Sequence, residues 1–536
     1  MTVGMASFGG LELLILGPLL GALVLPILSR DARRVIQLAI ALATAMVALS
    51  IWAWIDVLSA DGDYVWRSDA LWISALSVRW QLGVDDVSAP LVVLTAILTW
   101  SCLVSLLKRA PDCGGTANLV ALILLIEAGS IGTFAALDLI VFFVFFEVVL
   151  IPMWFVIAQW GDRHDEDGRR RAASRFLVVT VIGSAVMLVG FLVLRSQAGT
   201  FDLELLTQRA AALDDRTQVI VAVLLLVGFG AKIPLWPLHF WLPDAHSKAP
   251  TVGSVLLAGV LLKLGTYGLL RFWYDVVPAG ALHAAPYLGG VGVVGIVYAA
   301  LACLAQPDLK RLIAYSSIGH MGFVALAIST MTAQGLAAAN FANVAHGVVT
   351  GLLFFVVGAL KDRAGGTGFA DIGRGLYGRS PTLAAILAVA ALASLGLPGL
   401  AGFWGEMLSM LAAYSPHPDL PRTTYLIFMA LAGLGAVLTM VYFVVAVRRV
   451  CQGVVEADAV ADVETDEWIA WGPLLVLPVA LGVVPTLLLW SADSVEALPV
   501  LGGVVTGLRG LCGCSADDRA RPMTRRQTCV ERVSLP

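Results

Sequence analysis

The chain has 536 residues, 59% of them hydrophobic and only 13% charged, with a formal net charge of −4. An average soluble protein is about 45–50% apolar and about 25% charged, so most of this chain belongs in lipid. The near-neutral balance gives no basic surface of the kind that nucleic acid requires.

Hydrophobic stretches of about 20 residues, each long enough to cross a hydrocarbon core of roughly 30 Å, recur with short polar breaks. They predict an all-α integral membrane protein of about fourteen transmembrane helices. The spans fall at 11–29, 35–58, 89–107, 117–136, 138–160, 174–195, 217–236, 251–273, 284–306, 311–332, 336–360, 381–412, 424–447 and 467–490. The first begins without charge and is expected to be a membrane span, not a cleaved signal. Connections after odd-numbered spans carry the basic residues: Arg30, Arg33 and Arg34, Lys108 and Arg109, then Arg163, Arg169, Arg170, Arg171 and Arg175. Lys310, Arg311, Lys361, Arg363, Arg374, Arg379, Arg448 and Arg449 continue the pattern. The positive-inside rule then predicts a multi-pass protein of the cell membrane with this set in the cytoplasm and the N-terminus outside. A weakly apolar stretch at 497–505 leads to an Arg-rich tail at 519–532, which fourteen spans would put on the wrong side; such polar tails are most often disordered. That tail holds Cys512 and Cys514, the one close pair among the seven cysteines, without the CxxC spacing of zinc or iron-sulfur ligands. No metal or redox centre is expected in this chain.

Two spans are interrupted. Pro234, Pro237, Pro243 and Pro250 crowd the stretch 228–250, too many for one helix. Glycines and Pro398 interrupt 394–406 in the same way. A break frees backbone groups that lipid cannot satisfy, so each must line a protein-buried or watery cavity. Five-helix units starting at the fourth and ninth spans put a broken helix fourth in each unit, which predicts two inverted repeats. The corresponding division is 1–110 for the N-terminal helices and 111–280 for the first repeat, broken near 232–250. The second repeat is 281–450, broken near 394–406, and 451–536 holds the C-terminal helix and tail.

An ionisable group within a span costs about 2.5–3.5 kcal/mol on insertion scales and needs a partner or a wet cavity. The clearest here are Glu127, Glu147, Lys232, Lys263, His320, His346 and Glu406. Burial disfavours the charged form of a carboxylate or an amine, while a close Glu–Lys contact restores both charges, so a pair between those limits can load or release a proton. Glu147 and Lys232 could equally form a fixed internal salt bridge, and either histidine could be a hydrogen-bonded packing residue. Titratable groups spread over successive spans make a chain that structural pairing alone does not require, and imidazoles suit proton passage near neutral pH. His239 and His246 are expected to cap unwound backbone at the first break, and Asp138 to cap a helix. A metal site from His239, Asp244 and His246 lacks regular ligand spacing. The string Gly290, Gly292, Gly295 matches GxGxxG but lies inside an apolar span, where small residues allow close helix packing.

The runs LDLIVFFVFFEVVLIPMWF, GFGAKIPLWPLHFWLPDAHSKAP, DLKRLIAYSSIGHMGF, HGVVTGLLFFVVG and GLPGLAGFWGE, with GVDDVSAP at the start, resemble the antiporter-like proton-channel subunits. These are shared by respiratory complex I, multisubunit cation/proton antiporters and membrane-bound hydrogenases, and the resemblance covers about 83–449. The residue at the second break separates members: Lys in subunits similar to L and N of complex I, Glu in the M type, and here it is Glu406. The resemblance implies a proton-translocating membrane-arm subunit of NADH-quinone oxidoreductase, with a cation/proton antiporter or hydrogenase subunit as the alternative. It implies Glu147 and Lys232 as a switching pair, Lys263 as central relay, His320 and His346 extending it, and Glu406 as terminal donor. It implies no cofactor in this chain, with NADH, FMN, iron-sulfur clusters and quinone in partner subunits. The partners it implies are L- and N-type and small membrane subunits in the lipid bilayer. Val87 after Asp86, where the family commonly has Gly, and the Arg-rich tail depart from the pattern.

Overall fold

The computed structural model describes residues 9–489 apart from 30, 61–62, 110–114 and 455–460. The end of the fourteenth expected span at Trp490, the stretch 497–505 and the tail with Cys512 and Cys514 lie outside the described residues. In chain order the helices are α1 (Gly10–Leu28), α2 (Ala32–Leu58), α3 (Ala89–Arg109), α4 (Thr116–Ala135), α5 (Leu139–Trp160) and α6 (Glu166–Ala198). Then come α7 (Asp215–Lys232), α8 (Leu242–Lys248), α9 (Thr251–Tyr274), α10 (Pro278–Leu304), α11 (Leu309–Ser329) and α12 (Ala333–Ala364). The last are α13 (Pro381–Ser394), α14 (Ala401–Tyr414), α15 (Arg422–Cys451) and α16 (Thr465–Val483). Among the described residues 12 helices are long and apolar enough to cross a bilayer. The two expected spans missing from that set, 217–236 and 381–412, are the broken ones: α7 with α8, and α13 with α14.

Aspartates start many of these helices because a side-chain oxygen there satisfies orphan amides. Asp31, Asp138, Asp165, Asp202, Asp214 and Asp308 each accept from an N–H one to three positions into the following helix. Asp138 is thus the cap expected of it, holding Ile140 N at 2.8 Å and Val141 N at 3.2 Å.

An all-α chain is expected, yet β1 (Val65–Ile73) and β2 (Val78–Val84) form an antiparallel hairpin between α2 and α3. Trp66 anchors it, its indole donating to Asp56 at 2.7 Å. Leu137 N donates to Gln81 O at 2.9 Å, which ties the hairpin to the loop before α5.

The basic connections gather on the other face. Lys108 pairs with Asp466, Lys361 with Asp162, and both Arg175 and Arg311 with Asp244. At the centre α9 and α12 are buried along their whole apolar windows, whereas α2 and α15 expose most of theirs. The GxGxxG string behaves as packing: a Cβ on Gly292 would lie 2.7 Å from Gly322 O across the α10–α11 crossing, while Gly295 has nothing nearer than 3.9 Å.

Candidate functional site

The first break ends α7 at Lys232. An indole supplies part of what the lost turn leaves unbonded, as Trp241 Nε1 donates to Ala231 O at 3.0 Å. Lys232 is buried at this helix C-terminus, where the dipole favours a cation. Its Nζ has no hydrogen-bond partner and lies 4.4 Å from the centroid of the Phe146 ring. Glu147, next along α5, is half-buried beside Ser184 and is close enough to feel the Lys232 charge. The two make no N–O contact within 4.0 Å, so no fixed salt bridge joins them in this state. Glu127, on α4, is fully buried and neither of its carboxylate oxygens has a hydrogen-bond partner.

Lys263 lies on α9 just after a π-helical turn, Leu257–Leu261, an irregularity that often accompanies functional sites. Its Nζ donates to Ala258 O at 2.6 Å and meets His346 Nδ1 at 2.5 Å. The two nitrogens are within hydrogen-bond reach, with the donor set by the tautomer of the imidazole. The ring of His346 is 5.4 Å from that of His320, centroid to centroid, and its Nε2 is unpartnered. His320 in turn reaches Ser394 Oγ at 3.0 Å and, through Nδ1, Glu406 Oε1 at 3.2 Å. That last approach has an ion-pair distance without hydrogen-bond alignment, since the same Oε1 has no hydrogen-bond partner.

The second break builds the end of this file. α13 stops at Ser394, the chain turns through Gly396 at φ +80°, and α14 brings Glu406 back so that Oε2 would lie 3.1 Å from any Cβ on Gly396. Gly402 lets the two half-helices close up, because a Cβ there would strike Ala393 O. Between them lies a cavity of about 30 Å³ lined by His320, His346, Thr350, Ser394 and Glu406. A water needs about 10–15 Å³ and several polar partners, so one or two waters fit and would bridge His346 to Glu406.

Of the six expected residues, the structure thus joins Lys263, His346, His320 and Glu406. It brings Glu147 near Lys232, and no direct contact links Lys232 to Lys263. His239 and His246 do not cap the unwound backbone as expected: the first leans on Tyr298 and the second stacks on Phe354 at 4.5 Å. Ring packing, and not a hydrogen bond to backbone, positions both imidazoles, and both nitrogens of His246 are unpartnered. Asp244 is held by arginines instead of sharing a ligand set with them.

Two further residues belong to the file. At the basic face a cavity of about 550 Å³ is lined by Lys108, Asp162, Lys310, Lys361, Asp466 and Glu467, among others. Lys310, nearly buried at its floor, donates to Ala249 O at 2.6 Å. His246 is fully buried with both ring nitrogens unpartnered, and feels the charges of both Lys310 and Lys263. It stands between the vestibule and the centre. In the sequence Lys310 reads as one more basic connection residue, next to Arg311 and two positions before the apolar run LIAYSSIG, and only the packing of the helices buries it.

A helical membrane bundle with two broken spans, a polar vestibule and a buried file of titratable groups is the build of an ion-translocating membrane subunit. The chain belongs to the family described as NADH:quinone oxidoreductase/Mrp antiporter, TM, which matches residues 136–438. It is 34% identical to the NAD(P)H-quinone oxidoreductase chain 4 1 of Thermosynechococcus vestitus, over 97% of each chain. It is 32% identical to the NADH-ubiquinone oxidoreductase chain 4 of Marchantia polymorpha, over 90% of this chain and 95% of that one. For the NADH-quinone oxidoreductase subunit M of Rhodobacter capsulatus the identity is 34%, over 88% and 92%. A chain of the respiratory complex I of Thermus thermophilus superposes with a TM-score of 0.80 at 29% identity, covering 94% of this chain and all of that one. A chain of the Mrp complex of Dietzia has the same fold, at a TM-score of 0.79 and 21% identity.

Proposed function

We propose that the chain is the M-type, chain-4-like membrane-arm subunit of a proton-translocating NADH-quinone oxidoreductase, and that it carries protons through its own side chains. NADH, FMN, iron-sulfur clusters and quinone would be handled by partner subunits, among them L- and N-type and small membrane subunits beside this one. The basic face would lie in the cytoplasm of a cell-membrane protein whose N-terminus is outside, and the two broken spans would be equivalent members of inverted five-helix repeats.

The observation that carries this reading is the contact series Lys263, His346, water-sized cavity, His320, Glu406. Protons would enter through the vestibule by Lys310 and His246 and load Lys263. From there the shared Lys263–His346 hydrogen bond passes a proton sideways, the cavity water carries it on, and Glu406 receives it at the break. Glu147 and Lys232 would set when Lys263 can discharge, because a charge moved at one buried site changes the proton affinity of the next.

The test is Glu406→Gln, which keeps shape and hydrogen bonding but removes titration. Assembly should persist while NADH-driven proton uptake in inverted vesicles, normalised to assembled complex, falls strongly. Wild-type uptake would return Glu406 to a structural role and overturn the path. Glu406→Lys restores a titratable group whose charge is one unit more positive in each protonation state, and should regain little activity.

A further inference from the structure

α9 carries a second polar row that the transfer path leaves unused. Lys263, Tyr267, Arg271 and Asp275 follow at four-residue spacing, so they share one face of the helix and descend from the relay towards the hairpin side. Arg271 sits in a second π-helical turn, Leu269–Tyr274, and is almost fully buried. It forms an ion pair with Asp85, which Ser88 steadies through its hydroxyl at 3.0 Å. The rings of Tyr64 and Tyr267 flank the guanidinium at 5.6 and 5.5 Å, and Asp275 stands 4.0 Å away. The Tyr267 hydroxyl donates to Phe134 O at 2.8 Å and accepts from Arg271 Nε at 3.4 Å.

This row leads from Lys263 along α9 towards the hairpin face, and its chemistry is wrong for passing a proton. A guanidinium does not release its proton, so it cannot serve as a link. Its ion pair with Asp85 occupies the carboxylate as well, so the row presents no free base at this point. The Tyr267 proton is committed to a backbone carbonyl. As a source of stability alone, a buried ion pair does no better than packed apolar side chains.

We propose that the Arg271–Asp85–Tyr267 cluster is an electrostatic seal: it closes the direct outward route from Lys263 and so obliges the proton to move sideways to His346 and Glu406. The inference rests on the relay reading above. It assigns to Arg271 a positioning role for the proton's route and not a share in carrying it.

The test uses the whole complex, purified and reconstituted into liposomes. The double variant Asp85→Asn/Arg271→Gln removes both charges together, so neither is stranded, and keeps much of the hydrogen bonding. The readouts are passive proton leak down an imposed gradient without NADH, and protons moved per NADH oxidised, each per assembled complex. The seal predicts a leak several-fold above wild type and fewer protons per NADH at unchanged NADH oxidation. Arg271→Lys, which keeps the charge beside Asp85, should stay tight. Adding Lys263→Ala to the double variant should abolish the leak, because the opened route starts there. Wild-type tightness in the double variant, or its failure to assemble, would make the cluster a structural brace and overturn the seal. Lys263→Ala alone separates the two readings: if it pumps normally, the relay itself is wrong, whereas if it does not pump and the double variant stays tight, only the seal is.

Discussion

Lys232 and Glu147 show how much a few ångströms matter to a buried charge. With Nζ over the Phe146 ring and no hydrogen-bond partner, Lys232 depends on a carboxylate it does not touch. Removing either partner leaves the other charge buried and alone. Lys232→Ala and Glu147→Ala should each cripple proton transfer, and Glu147→Asp, which keeps the charge, should be milder. Full proton uptake by both alanine variants in inverted vesicles at equal assembly would reduce the pair to a structural contact. Lys310 adds a second prediction at this scale. Lys310→Met keeps length and packing but removes the buried amine between the vestibule and His246, so uptake should fall while the complex still assembles. Uptake equal to wild type would show that protons reach Lys263 without passing Lys310.

At the scale of elements, the broken spans depend on caps and close crossings. Asp462 accepts from Thr382 N at 3.1 Å, Leu383 N at 3.0 Å and the Ser380 hydroxyl at 2.8 Å, capping α13 from a distant connection. Burial works against its ionisation, but these hydrogen bonds outweigh it and hold the carboxyl well below the usual aspartate range. A depressed folded value means that the stabilisation is present above the ordinary aspartate pKa of about 3.9 and is lost only as pH falls through the lower value. Asp462→Ala should therefore cost α13 about 1 kcal/mol at neutral pH. Faster amide exchange at 382–386 would report it, and unchanged exchange would show the cap to be idle. The α10–α11 crossing offers a paired test. Gly292→Ala forces a methyl against the Gly322 carbonyl, which has no rotamer to escape into, and should cost about 1–3 kcal/mol. Gly295→Ala meets open space and should be tolerated. The level of assembled complex and its thermal midpoint measure both, and equal tolerance would show that the crossing can open without penalty.

For the whole molecule, the central helices are covered and the outer ones are not. Ile27, Ile182, Ile427 and Val476 lie more than half exposed on α1, α6, α15 and α16. Lipid can cover such flanks, but the chain offers few polar loops to fix its own position, so we expect it to be stable only within an assembly. Expressed alone and extracted in detergent, it should aggregate or degrade. A monodisperse single chain that moves protons unaided would contradict this.

Hydropathy, prolines and glycines set out the spans, both breaks and most of the ionisable groups inside them, though Arg271, within the span 251–273, went unmarked. A charge in lipid and a proline in a helix are costly wherever the chain goes, so these signals are local and survive without a fold. The hairpin escaped because Val65–Ile73 and Val78–Val84 are too short to read as spans, and their pairing, not their hydropathy, makes them strands. The charges did not announce whom they would meet. Lys263 touches His346 across 83 positions, His320 meets Glu406 across a break, and Lys310 becomes the floor of a vestibule although it reads as a connection residue. Arg271 and Asp85 find each other from α9 and the loop before α3. Contacts of that range follow from how α9, α12 and the half-helices pack, since fractions of a helical turn decide whether two buried groups share a proton or stand apart.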